Sequence, residues 1–188
     1  MRHKAIAVFA FFALALHGCA APRQEPLKIQ GVQADKFSKS YTILGAELHE
    51  ELPYQISRAW FIRSLVEKAT GASIHQIYVH FTYEGDWEGF DWVTDDTAKN
   101  LDLKKIEIIN RTCFGKCTRQ ETLGVVLDGS FLRTRLTQGY ELKFRAKHGA
   151  AIVIPVTPEQ IRLQLAEIEK YQNLIASGTA PEMVPPPK

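Results

Sequence analysis

The sequence predicts an α+β fold, with a mainly antiparallel β-sheet and a C-terminal amphipathic helix packed on it. Three patterns support this prediction. Apolar residues alternate in several segments between residues 74 and 156, short turns at residues 114–116 and 147–149 join consecutive segments, and apolar residues recur at helical spacing near the C-terminus. Strands joined by short turns pair antiparallel, because a parallel pair needs a longer crossover connection.

The strands are predicted from this alternation. From about residue 74 to 84, Ile77, Val79, Phe81 and Tyr83 fall on one face of an extended segment, as in a half-buried strand. Further strands are predicted at residues 103–110, 121–127, 140–147 and 151–156.

Two longer segments have the apolar spacing of amphipathic helices. Residues 56–70 place their apolar side chains on one stripe and stop at Gly71, a residue type that is common after a helix end. The closing helix has a clearer start, because Thr157, Pro158 and Gln160 form a capping box with proline at the first helical position. Its apolar stripe consists of Ile161, Leu165, Ile168 and Ile175. A short helical turn is also predicted near residues 131–136.

The chain begins with the pattern of a secretory signal. Arg2 and Lys4 are followed by residues 5–16, which include no polar side chain. As a helix rising about 1.5 Å per residue, this run would cover about 18 Å, well below the roughly 30 Å of a bilayer core. Residues 1–18 are therefore predicted to be a cleaved export signal rather than a permanent membrane span.

Leu16, His17, Gly18 and Cys19 follow this run. The tetrapeptide resembles the lipobox of bacterial lipoproteins, a resemblance that covers about twenty residues and implies nothing about the fold of the remaining chain. It implies that Cys19 receives a diacylglycerol, which anchors the protein to a membrane, and Ala20 implies sorting to the outer membrane, with the domain facing the periplasm. Two or three acyl chains would make the attachment stable. The alternative is an ordinary signal peptide that ends near a cysteine.

The mature chain is predicted to contain a lipidated tether (residues 19–26), a single globular domain (27–176) and a disordered proline-rich tail (177–188). The full sequence has 23 basic and 21 acidic side chains, whereas the chain without residues 1–18 has 21 of each. A nucleic-acid-binding domain needs a basic excess that neutralises several phosphates, so the composition argues against that class.

Cys113 and Cys117 are the only cysteines besides Cys19. In an oxidising compartment they are predicted to close a tight loop with a disulfide. The chain-entropy model gives such a small ring a stabilisation of roughly 2 kcal/mol. The alternative, a redox pair or half of a metal site, lacks a second cysteine pair and a neighbouring histidine.

The densest group of aromatic and acidic side chains lies at residues 84–92. This candidate interaction loop contains Glu84, Asp86, Trp87, Glu88, Phe90, Asp91 and Trp92. If exposed, its side chains would suit a sugar, a cation or a basic protein. The other interpretation, which we favour, is a hairpin whose three aromatic side chains turn inward while the acids face water.

Charge is unevenly distributed along the chain. Residues 84–102 carry a net charge of about −6, and residues 104–148 a net charge of about +6. If the two segments are neighbours in the fold, the charges can pair across strands and have little functional meaning. If they lie apart, the domain has an acidic end and a basic end that would steer charged partners.

No strong catalytic motif is present. The sequence lacks a Gly-rich phosphate loop, a nucleophile elbow and a paired-histidine zinc motif. His75 and His80 fall on opposite faces of the predicted strand and so cannot share a metal, and a half-exposed ring on a sheet is the expected environment of each. We therefore predict neither catalytic residues nor a metal or cofactor. The expected function is a non-catalytic module that binds or helps to assemble another envelope protein.

Two other functions stay open. One is an inhibitor or immunity-type lipoprotein that protects the envelope from a lytic enzyme. The other is an envelope hydrolase that uses the carboxylates of the 84–91 segment, since paired carboxylates can perform acid–base chemistry on glycosides.

Overall fold

The computed structural model describes residues 26–52, 56–114, 116–182 and 184–185. The strands are β1 (Gly31–Gln33), β2 (Ser40–Leu44), β3 (Leu48–Leu52), β4 (Ile56–Glu67), β5 (Ser73–Glu84), β6 (Phe90–Asp95), β7 (Asp102–Phe114), β8 (Lys116–Leu127), β9 (Tyr140–Ala146) and β10 (Ala151–Val156). The helices are α1 (Phe131–Thr134) and α2 (Pro158–Ala176). The predicted signal (1–18), the lipidation residue Cys19 and most of the tether lie outside the described residues.

The strands form two antiparallel sheets. A seven-stranded sheet has the order β1-β2-β4-β5-β8-β7, with β3 also paired to β4, and a three-stranded sheet has the order β10-β9-β6. The predicted α+β class is confirmed, as are the five predicted strands, the two hairpins and the short helix near residue 131.

The three-stranded sheet and α2 cover the same face of the seven-stranded sheet. On this face of β4, Trp60 and Ile62 belong to the main core, which also includes Phe144 of the three-stranded sheet. Further along β4, Val66 belongs to a second core with Ile168 of α2. The two layers are also joined by hydrogen bonds, because the Trp60 indole N–H donates to the Pro155 carbonyl of β10 at 2.7 Å.

Gly45 allows α2 to pack closely against the junction between β2 and β3. Both strands pair with β4, and Gly45 lies between them, with its amide bonded to the Ile62 carbonyl at 2.8 Å. A β-carbon at residue 45 would come within 2.6 Å of that carbonyl and 2.5 Å of the Gln164 side-chain oxygen. The position therefore requires glycine because of the close approach of strand and helix.

The closing helix begins as predicted. The Thr157 side chain accepts a hydrogen bond from the Gln160 amide, and the Gln160 side chain accepts one from the Thr157 amide. Pro158 occupies the first turn, where a backbone N–H would have no acceptor within the helix. The lack of an N–H in proline therefore costs no helical hydrogen bond. Ile161 and Ile168 are buried, so the predicted stripe faces the large sheet.

The predicted helix at residues 56–70 is wrong, because residues 56–67 form β4. Trp60, Ile62, Ser64 and Val66 alternate into the core, while Phe61 on the opposite face is also buried. Apolar residues on both faces of a central strand imitate a helical stripe over a short window. The residue taken as a helix stop, Gly71, has φ 72° and instead turns the chain from β4 into β5.

The C-terminal segment also differs from the predicted disordered tail, within its described part. The Tyr41 hydroxyl donates to the Pro181 carbonyl at 2.5 Å, and Lys68 Nζ donates to the Glu182 carbonyl at 2.7 Å. Val184 and Ala34 exchange two backbone hydrogen bonds in an antiparallel bridge. Proline lacks a backbone N–H but keeps its carbonyl oxygen as an acceptor. A proline-rich segment can therefore be ordered when the domain supplies hydrogen-bond donors to its carbonyls. Among the described residues, no helix is long and apolar enough to cross a membrane.

Candidate interaction surface

The segment at residues 84–92 does not form the hairpin that we favoured from the sequence. It leaves β5 of the seven-stranded sheet and enters β6 of the three-stranded sheet, so it connects the two layers. Asp86 is exposed, whereas Glu84, Trp87 and Glu88 are partly buried. The segment is therefore a crossover whose aromatic side chains have three different environments.

Two of the aromatic side chains turn inward, as expected. Phe90 is 1% exposed and stacks on Phe81 with 4.5 Å between ring centroids. Trp87 packs against the main core, and the Arg119 guanidinium lies over its ring at 4.7 Å. Packing within the fold therefore accounts for the presence of aromatic side chains at residues 87 and 90.

A buried carboxylate holds the crossover in place. Glu121 of β8 is fully buried, and its Oε1 accepts hydrogen bonds from the Tyr83 hydroxyl and from the Gly89 amide, the latter at 2.9 Å. The Tyr83 hydroxyl in turn accepts the Glu88 amide at 3.0 Å. Burial, followed by the hydrogen bond to Glu121, raises the pKa of Tyr83 far above its ordinary value. Tyr83 and Glu121 therefore act together as a clamp on residues 88 and 89.

Trp92 is the exception to the inward orientation. The pairing of β6 with β9 shifts register between Phe90 and Trp92, so that Asp91 is an extra residue in the strand. Phe90 pairs with buried Ala146, whereas Trp92 pairs with exposed Arg145 and is itself 48% exposed. Simple alternation would have put Phe90 and Trp92 on one face, and the β-bulge overturns that expectation by turning Trp92 outward.

Trp92 is held in this exposed position by two neighbours. The Arg145 guanidinium lies over its ring at 5.6 Å, and its indole N–H donates to the Asn100 side-chain oxygen at 2.5 Å. A cation over an indole face and a hydrogen-bonded indole N–H both restrict the side chain before any partner arrives. The exposed aromatic group is thus ordered.

The outer face of the three-stranded sheet continues from Trp92 into a shallow groove of about 400 Å³. We call this face the Trp92 surface, and define it by Trp92, Thr94, Glu141, Lys143, Arg145 and Val153. Lys143 pairs with Thr94 on one side and with Val153 on the other, so the three side chains form one row across the sheet. Val153 is 38% exposed, which adds an apolar patch beside the charged groups.

One side of the groove is built by a rigid turn after β6. Asp95 Oδ1 accepts the amides of Thr97 and Lys99, each at 2.9 Å, and the Thr97 hydroxyl at 2.7 Å. Burial alone would raise the pKa of Asp95, but these hydrogen bonds and the Arg135 charge lower it below the ordinary value. Asp95 therefore stays ionised and organises the turn.

The acidic and basic segments of the sequence are neighbours in the fold. β6, from the acidic segment, pairs along its length with β9 from the basic segment. Arg135 also makes a bidentate ion pair with Asp96, at 2.8 and 2.9 Å. Of the two arrangements left open by the sequence, pairing between adjacent elements is the one observed.

The remaining sequence candidates are separate from this surface. Cys113 and Cys117 are direct partners in the ladder of β7 and β8. The side chain of Cys113 lies outside the described residues, so the pairing of these two cysteines stays a prediction. Asp91 is exposed at the bulge. In the part of the chain that the structure describes, no three His, Cys, Asp or Glu side chains form a group suited to a metal ion.

The histidines of β5 point to opposite faces, as predicted, but His75 is not half-exposed. It is 1% exposed, and its Nδ1 lies 2.8 Å from the hydroxyl of Ser64, which is fully buried. This serine and histidine have the spacing of a nucleophile and its base, yet neither is accessible to a substrate from solvent. His80 lies on the other face, where its Nδ1 bonds the Thr122 hydroxyl at 3.0 Å.

The sequence suggested part of this surface and missed the rest. Trp92 was singled out for its aromatic neighbours, whereas Lys143 and Arg145 were covered only by the strand predicted at residues 140–147. Alternation could have placed Glu141, Lys143 and Arg145 on one exposed face, but pairing with β6 is a long-range contact that leaves no local signal. No family model, curated protein or solved structure matches the chain.

Proposed function

We propose that this protein is a lipid-anchored envelope lipoprotein whose domain binds another envelope protein through the Trp92 surface, without catalysis. The observation that carries the proposal is the bulge that turns Trp92 outward and stacks it against Arg145. Tryptophan and arginine are enriched among the residues that contribute most to protein–protein binding.

The composition of the Trp92 surface favours a protein partner. It combines an exposed indole, the apolar Val153 and the charged groups Glu141, Lys143 and Arg145 on one sheet face. The groove is shallow and open, whereas small-molecule sites are usually deep and enclosed. Mixed charge of both signs suits a complementary protein surface better than a polyanion or a metal.

The inaccessible position of the reactive side chains supports a non-catalytic role. Ser64 and His75 are sealed in the core, and Glu121 is fully buried beneath the crossover. The hydrolase alternative depends on Glu84, Asp86, Glu88 and Asp91, of which Asp86 and Asp91 are exposed to solvent. An exposed carboxylate lacks the enclosed environment that raises the pKa of a general acid.

The membrane location in the proposal rests on the N-terminal sequence. A lipid on Cys19 would hold the domain at the periplasmic face of the outer membrane, close to other envelope proteins. Replacing Cys19 by Ser should move the protein from the membrane fraction to the soluble fraction on cell fractionation. If Cys19→Ser stays with the membrane as fully as the wild-type chain, the anchor proposal is wrong.

The Trp92 surface can be tested in the intact lipoprotein by site-specific photocrosslinking in cells. A benzophenone side chain placed at Thr94 should crosslink to a discrete envelope protein, and one placed at exposed Ile108 on β7 serves as the matched control. Trp92→Ala should weaken binding of the captured partner by about tenfold or more, as expected for a central aromatic side chain. Ile108→Ala should leave it unchanged.

The crosslinking and binding experiments can also contradict the proposed surface. Equal crosslinking at Thr94 and Ile108, or binding that is unaffected by Trp92→Ala, would show that this face is not the binding surface. A captured wall-degrading enzyme whose activity the protein inhibits would identify the interaction as inhibitory, which is the immunity-type alternative.

A further inference from the structure

We propose that the turn between β1 and β2 is a second membrane contact, in which Phe37 inserts into the interface of the bilayer that carries the lipid anchor. This inference rests on the proposed lipidation of Cys19 and adds a defined orientation of the domain to it. The turn comprises residues 35–38, with Lys36 and Lys39 flanking the phenylalanine.

Phe37 is unusual in its degree of exposure. Its side chain is 84% exposed, the largest value among the exposed large hydrophobic side chains of the described chain. The Lys36 ammonium group lies over the ring, 4.9 Å from its centroid. Insertion of this ring into an apolar environment outside the domain would recover the free energy that its exposure forfeits.

The turn holds Phe37 outward through a set of well-formed hydrogen bonds. Asp35 Oδ1 accepts the amides of Phe37 and Ser38, each at 2.7 Å, and the Ser38 hydroxyl donates to the Ser40 carbonyl at 2.6 Å. Lys68 Nζ donates to the Asp35 carbonyl at 2.8 Å. The phenylalanine is therefore presented at the tip of a constrained turn.

The chemistry of the turn fits a bilayer interface. An aromatic ring between lysine side chains can enter the boundary between headgroups and acyl chains while the ammonium groups stay with lipid phosphates. Three acids lie near the turn. The Asp35 carboxylate is engaged by the turn amides, the Glu67 carboxylate accepts the Thr70 hydroxyl, and Glu182 is exposed. A single protruding ring lacks the surrounding packed rim of a protein-binding hot spot, which favours lipid over a protein partner.

The length of the tether permits this contact. A lipid on Cys19 leaves seven peptide steps to Pro26, where the described structure begins, or at most about 25 Å of extended chain. The domain is therefore held close to the bilayer, and rotation about the tether can bring the β1–β2 turn to its surface. The anchor thus keeps the turn within reach of the membrane surface.

Crosslinking to lipid provides a direct test in the full-length lipidated protein, reconstituted in vesicles of phosphatidylethanolamine and phosphatidylglycerol. A benzophenone amino acid replaces Phe37 in one sample and Ile108 in the matched control, and mass spectrometry detects phospholipid adducts. We expect at least about tenfold more lipid adduct at residue 37 than at residue 108, because burial of a phenylalanine-sized ring favours the inserted orientation by this order. The double variant Lys36→Gln, Lys39→Gln should reduce the adduct by about fivefold or more.

Vesicle flotation distinguishes a failure of the lipid-anchor proposal from a failure of the proposed membrane contact at Phe37. If the wild-type protein floats with the vesicles but residue 37 gives no more lipid adduct than residue 108, the anchor stands and the membrane-contacting turn is overturned. Adducts of residue 37 with a second protein chain would also overturn it. If the wild-type protein does not float, both the anchor and the turn proposals fail.

Discussion

At the scale of single residues, three buried polar side chains form a hydrogen-bonded chain. Gln164 Nε2 donates to the Ser64 hydroxyl at 2.7 Å, and Ser64 lies 2.8 Å from His75 Nδ1. The amide nitrogen can only donate, whereas the serine hydroxyl keeps its own proton and can give it to an unprotonated Nδ1. Burial, with a smaller effect of the Arg133 charge, lowers the pKa of His75 to about 4.

This network predicts a loss of stability in mild acid. The pKa of His75 is about 6.5 in the unfolded chain and about 4 in the fold, so the unfolded chain takes up the proton first as the pH falls. The free energy of unfolding should be highest above pH 6.5 and should fall by up to about 3 kcal/mol between pH 6.5 and 4. Urea unfolding at a series of pH values measures the slope.

Two variants isolate the contribution of this ring. His75→Asn lowers the stability at neutral pH but should flatten the slope between pH 6.5 and 4. His148→Asn, at an exposed turn, should keep the wild-type slope. A His75→Asn slope equal to that of the wild type would show that the fold does not hold His75 neutral.

At the scale of elements, sequence patterns predicted those segments whose two faces differ in burial. β5 alternates strictly, with Ile77, Val79 and Phe81 fully buried, and α2 carries both its cap and its stripe in local sequence. The prediction failed for β4 because this strand lies inside the sheet, where residues on both of its faces are buried. Only the tertiary structure determines that position. β1, β2 and β3 were missed because they contain only three to five residues each.

The cap of α2 predicts a measurable element-level effect. Thr157→Ala removes the side-chain acceptor of the Gln160 amide and should lower the free energy of unfolding by about 1 kcal/mol. Ser130→Ala is the matched control, because Ser130 precedes α1 without a side-chain capping bond. Denaturant unfolding should separate the two variants, and equal effects would contradict the assigned role of the Thr157 cap.

At the scale of the whole molecule, the described C-terminal segment closes one end of the two-layer structure. Ala180 and Val184 pack against the second core, and the Tyr41 hydroxyl reaches the Pro181 carbonyl. This docking was not predicted, because proline-rich segments look alike in sequence whether or not a domain supplies donors for their carbonyls. The Trp92 surface was only partly predictable for a related reason, since it depends on which strand lies beside β6.

Truncation tests the contribution of this segment. Ending the chain after Gly178 removes the contacts of Ala180, Pro181 and Val184, and should lower the free energy of unfolding by roughly 2–3 kcal/mol. Ending it after Pro185 retains those contacts and should have little effect. Both are measured by urea unfolding, and equal midpoints for the two truncations would argue that the docked segment adds no stability.

The extra residue in β6 is not itself part of the surface that it borders. Deletion of Asp91 would make Phe90 and Trp92 adjacent in a regular strand, where neighbouring side chains point to opposite faces, so Trp92 would still pair with Arg145 and face outward. The pairing of Val93, Thr94 and Asp95 with β9 need not change, because the bulge lies before them. The Trp92 surface should therefore survive the loss of this one codon, because the bulge residue contributes none of the side chains that define it.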